Sequence, residues 1–179
     1  MAEIKDLIRD IPDFPKQGIM FRDITPLLAD PAGLRAVVSE MASRWQGKID
    51  IVAGLDARGF IFGTALAYEM MLPFVPVRKK GKLPGETVEV EYALEYGSSI
   101  IQMQKGACPA DSRVLVVDDL LATGGTAAAA CRLVREIGAQ VAGCAFVIEL
   151  AELNGRDKLP DGVHVQSLAV YGEPLSKAA

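Results

Sequence analysis

Apolar positions along the 179-residue chain switch between helical and strand spacing. Leu34, Val37, Val38, Met41, Ala42 and Trp45 recur at helical spacing. Asp30 precedes them as an N-cap carboxylate, and Pro31 takes the first helical position. Gly47 ends that helix. Residues 49–55 predict a buried strand, 60–71 a second apolar helix and 74–77 a second strand. The stretch 78–97 is mixed: basic first, then Pro84-Gly85, then Glu86, Glu89, Glu91 and Glu95. With a strand at 98–104 it reads as a long hairpin or a mobile flap. Residues 114–117 predict a strand rich in β-branched side chains. A helix over 124–137 carries Ala127, Ala130, Leu133, Val134 and Ile137 on one face, with Gly138 as its C-terminal cap. Strands are expected at 141–148 and 163–170. Nearer the start, 1–10 predicts a short helix ended by Pro12 and Pro15, and 19–24 an extended segment. Strands alternating with helices define an α/β domain built on a mostly parallel sheet.

Half of the residues are hydrophobic and 23% are charged, so a single globular domain over 1–179 is expected. Nineteen basic against 23 acidic residues leave a net charge of −4. That balance argues against bulk nucleic-acid or membrane-surface binding, without excluding a local basic pocket for an anionic metabolite. The longest strictly apolar runs, 127–131 and 144–148, are too short to span a bilayer. Cys108, Cys131 and Cys144 cannot all pair, and His164 is the single histidine, so no His-based zinc spacing exists. The cysteines read as small buried apolar residues, His164 as structural, and the whole as a cytoplasmic protein.

The chemistry concentrates in VLVVDDLLATGGT, residues 114–126. An apolar strand runs into Asp118 and Asp119; a short loop then leads to Thr123-Gly124-Gly125-Thr126 at a helix start. Glycines let backbone N–H groups approach an anion closely. A helix start adds unpaired donors and the positive end of its dipole, which together suit a phosphate. The two carboxylates suit the vicinal hydroxyls of a ribose. Adjacent residues of a regular strand point to opposite faces, so both can meet one sugar only where the strand has ended. Neither the GxxxxGK[ST] loop nor the GxGxxG fingerprint occurs.

This stretch resembles the phosphoribosyl diphosphate signature of the type I phosphoribosyltransferases. FPKQGIMFRDITPLL (14–28), AGLDARGFIFG (53–63), RKKGKLPG (78–85) and YALEYG (92–97) are similar to the adenine phosphoribosyltransferases, in the same order. The likeness runs from about residue 12 to 150 and is weaker beyond. It implies the type I phosphoribosyltransferase fold, with an N-terminal hood at about 12–28 and a flexible flap at about 78–104. It also implies the reaction of adenine with phosphoribosyl diphosphate to give AMP and diphosphate, with Mg2+ carried on the substrate rather than in a cage of the chain. A homodimer is implied as well.

Residue roles follow from the resemblance. Ala122, Thr123, Gly124, Gly125 and Thr126 are expected to cradle the 5′-phosphate, and Asp118 and Asp119 to hold the ribose hydroxyls. Some relatives, including those for 6-oxopurines, carry an aspartate where this chain has Ala122. Any acid must therefore come from elsewhere, and Glu95 on the flap is the candidate, either stabilising a cationic sugar or handling the purine proton. Arg58 is expected at the diphosphate; the plainer alternative is a helix-start arginine paired to Asp56. Lys79 and Lys82 are expected to reach diphosphate from their own or the partner subunit. Met20, Phe21 and Arg22 match the base hood: Phe21 to stack on adenine, backbone groups of the other two to read its edge. Two rivals remain: a transferase for another purine such as xanthine, and a non-catalytic phosphoribosyl diphosphate sensor. A sensor would usually carry a nucleic-acid domain or a basic face, which this length and charge do not favour.

Overall fold

The computed structural model describes residues 3–93 and 97–175. A seven-stranded sheet is its centre. Strands β3 (Ile51–Leu55), β4 (Phe74–Lys79), β7 (Arg113–Leu121), β8 (Gln140–Leu150) and β9 (His164–Tyr171) are parallel, side by side in the order β4-β3-β7-β8-β9. A hairpin of β5 (Thr87–Ala93) and β6 (Ser98–Gln104) extends the β4 edge antiparallel, giving the full order β5-β6-β4-β3-β7-β8-β9. Helices α2 (Pro31–Trp45) and α3 (Gly59–Met70) cover one face, and α4 (Gly125–Glu136) the other. A separate ribbon pairs β1 (Arg9–Pro12) with β2 (Met20–Asp23), and a short helix α1 (Thr25–Ala29) follows.

The strand alternation sorts the core into two layers. Val114 and Val116 of β7 pack with Ala130, Leu133 and Val134 of α4. Leu115 and Val117, one step out of phase, pack with Phe62 and Leu66 of α3 and Val37 and Met41 of α2. Because β7 is covered on both faces, it reads as a continuous apolar run rather than an alternating one. Burying each of these large side chains contributes about 1.5–3 kcal/mol.

The helix signals act as their chemistry dictates. The Asp30 carboxylate accepts from the Gly33 N–H at 2.8 Å, capping α2. Gly138, at φ +87°, closes α4: its N–H donates to the Arg135 carbonyl at 3.0 Å, and that of Ala139 to Val134 at 3.0 Å.

Several boundaries differ from expectation. The helix expected over 1–10 does not form across the described residues 3–10: a single 3-10 turn at Ile4–Leu7 gives way to β1, whose backbone finds partners across the ribbon in β2. The extended segment ends at Asp23, and α1 follows it; the Asp23 carboxylate turns the chain by accepting from the N–H and hydroxyl of Thr25. Most consequential, β7 does not stop at Val117 but continues through both aspartates to Leu121, held by pairing with β8.

Candidate active site

The carboxyl ends of β3, β4 and β7 open onto a cleft of about 290 Å³, bounded on its far side by the β5–β6 hairpin. That is where ligands of parallel sheets bind. Asp56, Lys79, Tyr92, Asp118 and Thr126 contribute its polar lining. Beside it lies a smaller hollow of about 80 Å³, formed by the loop between β7 and α4: Ala122, Thr123, Gly124, Gly125 and Thr126, again with Asp118. All five residues expected at the phosphate therefore share one concavity at the start of α4.

Gly124 is the conformational key of that loop. It is the N-cap of α4 at φ +77°, in the left-handed region, and no side chain caps the helix. The first-turn donors of α4 thus have no side-chain acceptor of their own, as a bound anion requires. Gly125 lies at ordinary φ, and a Cβ there would sit 3.5 Å from the Ala93 carbonyl, an ordinary contact. The Thr126 hydroxyl donates to the Tyr92 hydroxyl at 3.2 Å, tying the start of α4 to the hairpin.

Since β7 continues, the two aspartates part company. Asp118 follows the alternation of Val114 and Val116 and lines both the cleft and the phosphate hollow. Asp119 follows Leu115 and Val117 to the other face, where its side chain is only 5% exposed. Arg58 Nε approaches Asp119 Oδ2 at 3.0 Å; the contact is one of charge, and Oδ2 has no aligned hydrogen-bond donor among the described residues. The Asp119 N–H donates to Asp118 Oδ1 at 2.9 Å. Burial first, then the neighbouring Asp119 charge, pushes the Asp118 carboxyl well above the ordinary carboxylate range. Burial also raises Asp119, and the Arg58 charge works against that rise.

Arg58 stands at the start of α3, and its alternative partner is already engaged: Asp56 binds Arg78 Nε at 2.9 Å. The Arg58 guanidinium lies 5.7 Å from the Phe21 ring centroid and lines a third pocket, of about 410 Å³, between the β1–β2 ribbon and α3. Arg58 is therefore on the side of the hood, whereas Lys79 lines the cleft. Lys82 is exposed and does not line the cleft. Of the three hood candidates, Phe21 faces the third pocket, with Phe14 edge-on to it at 5.1 Å. Met20 is exposed, and the Arg22 side chain turns away to the Asp10 carboxylate and the Tyr171 ring, 3.9 Å from its centroid. Glu95 lies outside the described residues. Among the described residues, no cluster of His, Cys, Asp or Glu could by itself hold a metal ion.

Sequence reasoning did not single out Phe14, Asp56 or Tyr92 as site residues, although each falls within a quoted stretch: FPKQG, LDARG and YALEYG. Their signal was position beside a strand end or hairpin rather than residue type.

A nucleotide-sized cleft joined to a glycine-lined anion hollow and an aromatic hood describes a phosphoribosyl-transferring protein. Residues 25–168 match the family model described as the phosphoribosyl transferase domain. Adenine phosphoribosyltransferase of Clostridium perfringens is 57% identical over 169 residues, covering 94% of this chain and 98% of its own. That of Acaryochloris marina is 54% identical over 94% of this chain and 99% of its own. Among solved structures, the enzyme of Thermoanaerobacter pseudethanolicus superposes with a TM-score of 0.90 at 48% identity, covering 94% of this chain and 98% of that one. The Saccharomyces cerevisiae enzyme, solved with adenine and an imino-altritol bisphosphate, gives 0.88 at 42% identity, covering 92% and 96%. The chain belongs to the adenine phosphoribosyltransferase family and has the type I phosphoribosyltransferase fold.

Proposed function

We propose that this chain transfers the 5-phosphoribosyl group of phosphoribosyl diphosphate to adenine, forming AMP and releasing diphosphate, and so salvages a free purine. The observation that carries this reading is the adjacency of the phosphate hollow and the cleft, joined by Asp118, in a chain more than half identical to adenine phosphoribosyltransferases over nearly its full length.

The 5′-phosphate enters the hollow of residues 122–126, where backbone donors and the hydroxyls of Thr123 and Thr126 meet it. That anchors the sugar over β7, with Asp118 toward its hydroxyls, while Asp119, expected there too, is turned to the other face of β7 and paired with Arg58. Diphosphate occupies the cleft beside Lys79, and Lys82, exposed outside the cleft, would reach it from its own or the partner subunit. Adenine stacks at Phe21, and the backbone of Met20 and Arg22 reads its edge. Arg58, between Asp119 and Phe21 rather than in the cleft where diphosphate binding was expected of it, places a cation beside the base. Glu95 is the carboxylate of the flap, acting where positive charge builds on the sugar or where the purine proton must be handled. Magnesium would come with the substrate, borne on its diphosphate, and would offset charge on the leaving group. The oxygen-rich cleft suits such a substrate-borne ion.

The functional unit is a homodimer. The exposed apolar end of α3, with Tyr68 and the adjoining Met71, is the surface that a second copy covers. The cytoplasm is its compartment, in keeping with three buried free thiols.

Competition between adenine, hypoxanthine, guanine and xanthine for turnover with phosphoribosyl diphosphate and magnesium tests the reading. AMP is the expected dominant product. Preferred turnover of xanthine or hypoxanthine would transfer the chain to the sister activity, and binding without turnover of any purine to the sensor.

A further inference from the structure

Beyond β8 the chain forms two 3-10 turns, Ala151–Leu153 and Gly155–Lys158, before returning to β9. This is the stretch in which the resemblance is weakest, yet it backs the phosphate loop. Gly155 lies against that loop backbone to backbone. A Cβ on Gly155 would fall 2.1 Å from the Ala122 carbonyl oxygen and 3.1 Å from the Gly124 nitrogen. Conversely, a Cβ on Gly124 would fall 2.1 Å from the Gly155 carbonyl oxygen. The left-handed turn at Gly124 is thus enclosed on the side away from the ligand.

What holds Gly155 there is its neighbour. Arg156 forms a two-pronged ion pair with Glu149: Nε to Oε1 and Nη2 to Oε2, each 2.6 Å. Glu149 is near the end of β8, in register with Leu121 of β7, the residue that leads into the phosphate loop. It is 6% exposed, and a buried carboxylate requires such a partner. Burial opposes its ionisation, but the two bonds from Arg156 and the Arg156 charge hold the carboxyl below its ordinary range. The pair therefore staples the turn onto the strand pair from which the loop emerges.

We propose that Arg156 and Glu149 are positioning residues for the sugar-phosphate site: their ion pair presses Gly155 against Ala122 and Gly124 and thereby sets the loop's donors. The inference rests on the reading of residues 122–126 as the phosphate cradle. Arg156→Lys keeps the charge but loses the planar fork, so Gly155 is no longer fixed in position. Ribose 5-phosphate binding by calorimetry should weaken about 5- to 20-fold, within the loss a small misplacement of a site produces. The KM for phosphoribosyl diphosphate should rise in parallel, while the KM for adenine stays within about twofold of the parent.

A role confined to stability would instead lower the melting temperature and leave both KM values parental, and that result overturns the proposal. If Arg156→Lys does not fold, Glu149→Gln, which keeps the shape and one acceptor, serves instead, with an expected loss of about 3- to 10-fold in the same two quantities. Thr123→Val separates the two readings. If it weakens ribose 5-phosphate binding and the Arg156 variant does not, the cradle stands and the staple falls. If neither variant changes binding, the cradle itself is misassigned and the staple falls with it.

Discussion

Replacing Asp118 by asparagine should make the empty protein more stable and its sugar diphosphate binding weaker. The two effects share one cause. Burial and the charge of Asp119 disfavour the ionised Asp118 carboxylate in the folded chain. Its folded pKa lies above the ordinary 3.8, so as pH rises past that value the unfolded chain gives up this proton first. Stability is therefore lost as pH rises from about 3.8 toward the folded pKa, and is not regained above it. A neutral amide removes that loss. On the proposed reading the carboxylate accepts from ribose hydroxyls in the complex, and each such bond to a charged acceptor is worth about 1.5–3 kcal/mol. One bond lost corresponds to about 10- to 150-fold in affinity.

Asp119→Asn should gain less stability than the Asp118 variant. Burial raises the Asp119 carboxyl too, but the Arg58 charge at the start of α3 offsets part of that rise. Arg58 is 41% exposed and can be solvated once its partner is neutral, so losing the pair costs about 0–1 kcal/mol. For a chain of this length that takes about 0–4 °C off the gain in melting temperature. Thermal melts of both variants at pH 5 and pH 8, with calorimetric titration of phosphoribosyl diphosphate and magnesium, provide the comparison. The Asp118 variant should gain on the parent as pH rises, and the Asp119 variant should gain less. Equal gains in the two variants would refute the division of the pair between opposite faces of β7. Parental affinity in the Asp118 variant would refute its place at the ribose.

Three further outcomes are expected. Gly124→Ala should cost about 1–3 kcal/mol of stability and damage AMP affinity, because it meets both a positive φ and the Gly155 carbonyl, whereas Gly125→Ala, with ordinary φ and only ordinary contacts at its Cβ, should change melting little; calorimetry and melts decide. Glu95→Gln should lower kcat by about 10²–10⁴-fold with little change in KM, and Glu91→Gln, whose exposed carboxylate merely accepts from the Ser98 hydroxyl at 2.5 Å, should retain the parental rate in a steady-state assay. In acid, bonds from Thr25 and then Arg9 hold Asp23 at about 2, and bonds from Arg113 hold Asp50 at about 2; both contributions are complete above about pH 4 and vanish as pH falls through 2, so Asp50→Asn should flatten the acid limb of melting against pH.

Legibility from sequence followed the range of the interactions. The Asp30-Pro31 helix start, the Gly138 cap and the buried strands depend on neighbours a few residues apart, and the structure has them within a residue or two. The glycine-rich loop was equally visible, since a phosphate hollow is built from consecutive backbone. The end of β7 was not visible. Two acidic residues look like the close of a strand, but whether a strand stops depends on the partner beside it, and β8 pairs with β7 as far as Leu121. Likewise Asp56 is three residues from a helix start and looks available to Arg58, until β4 brings Arg78 to it from 22 positions away.

The same distinction separates residue type from residue direction within the site. Motif matching put Met20, Phe21 and Arg22 together because they are consecutive. A strand sends consecutive side chains to opposite sides, so only Phe21 enters the hood pocket, while Arg22 is drawn out to Asp10 and Tyr171. Asp118 and Asp119 obey the same rule on β7, one facing the cleft and the other the arginine that reaches the hood pocket. One strand thus presents carboxylates to two compartments at once.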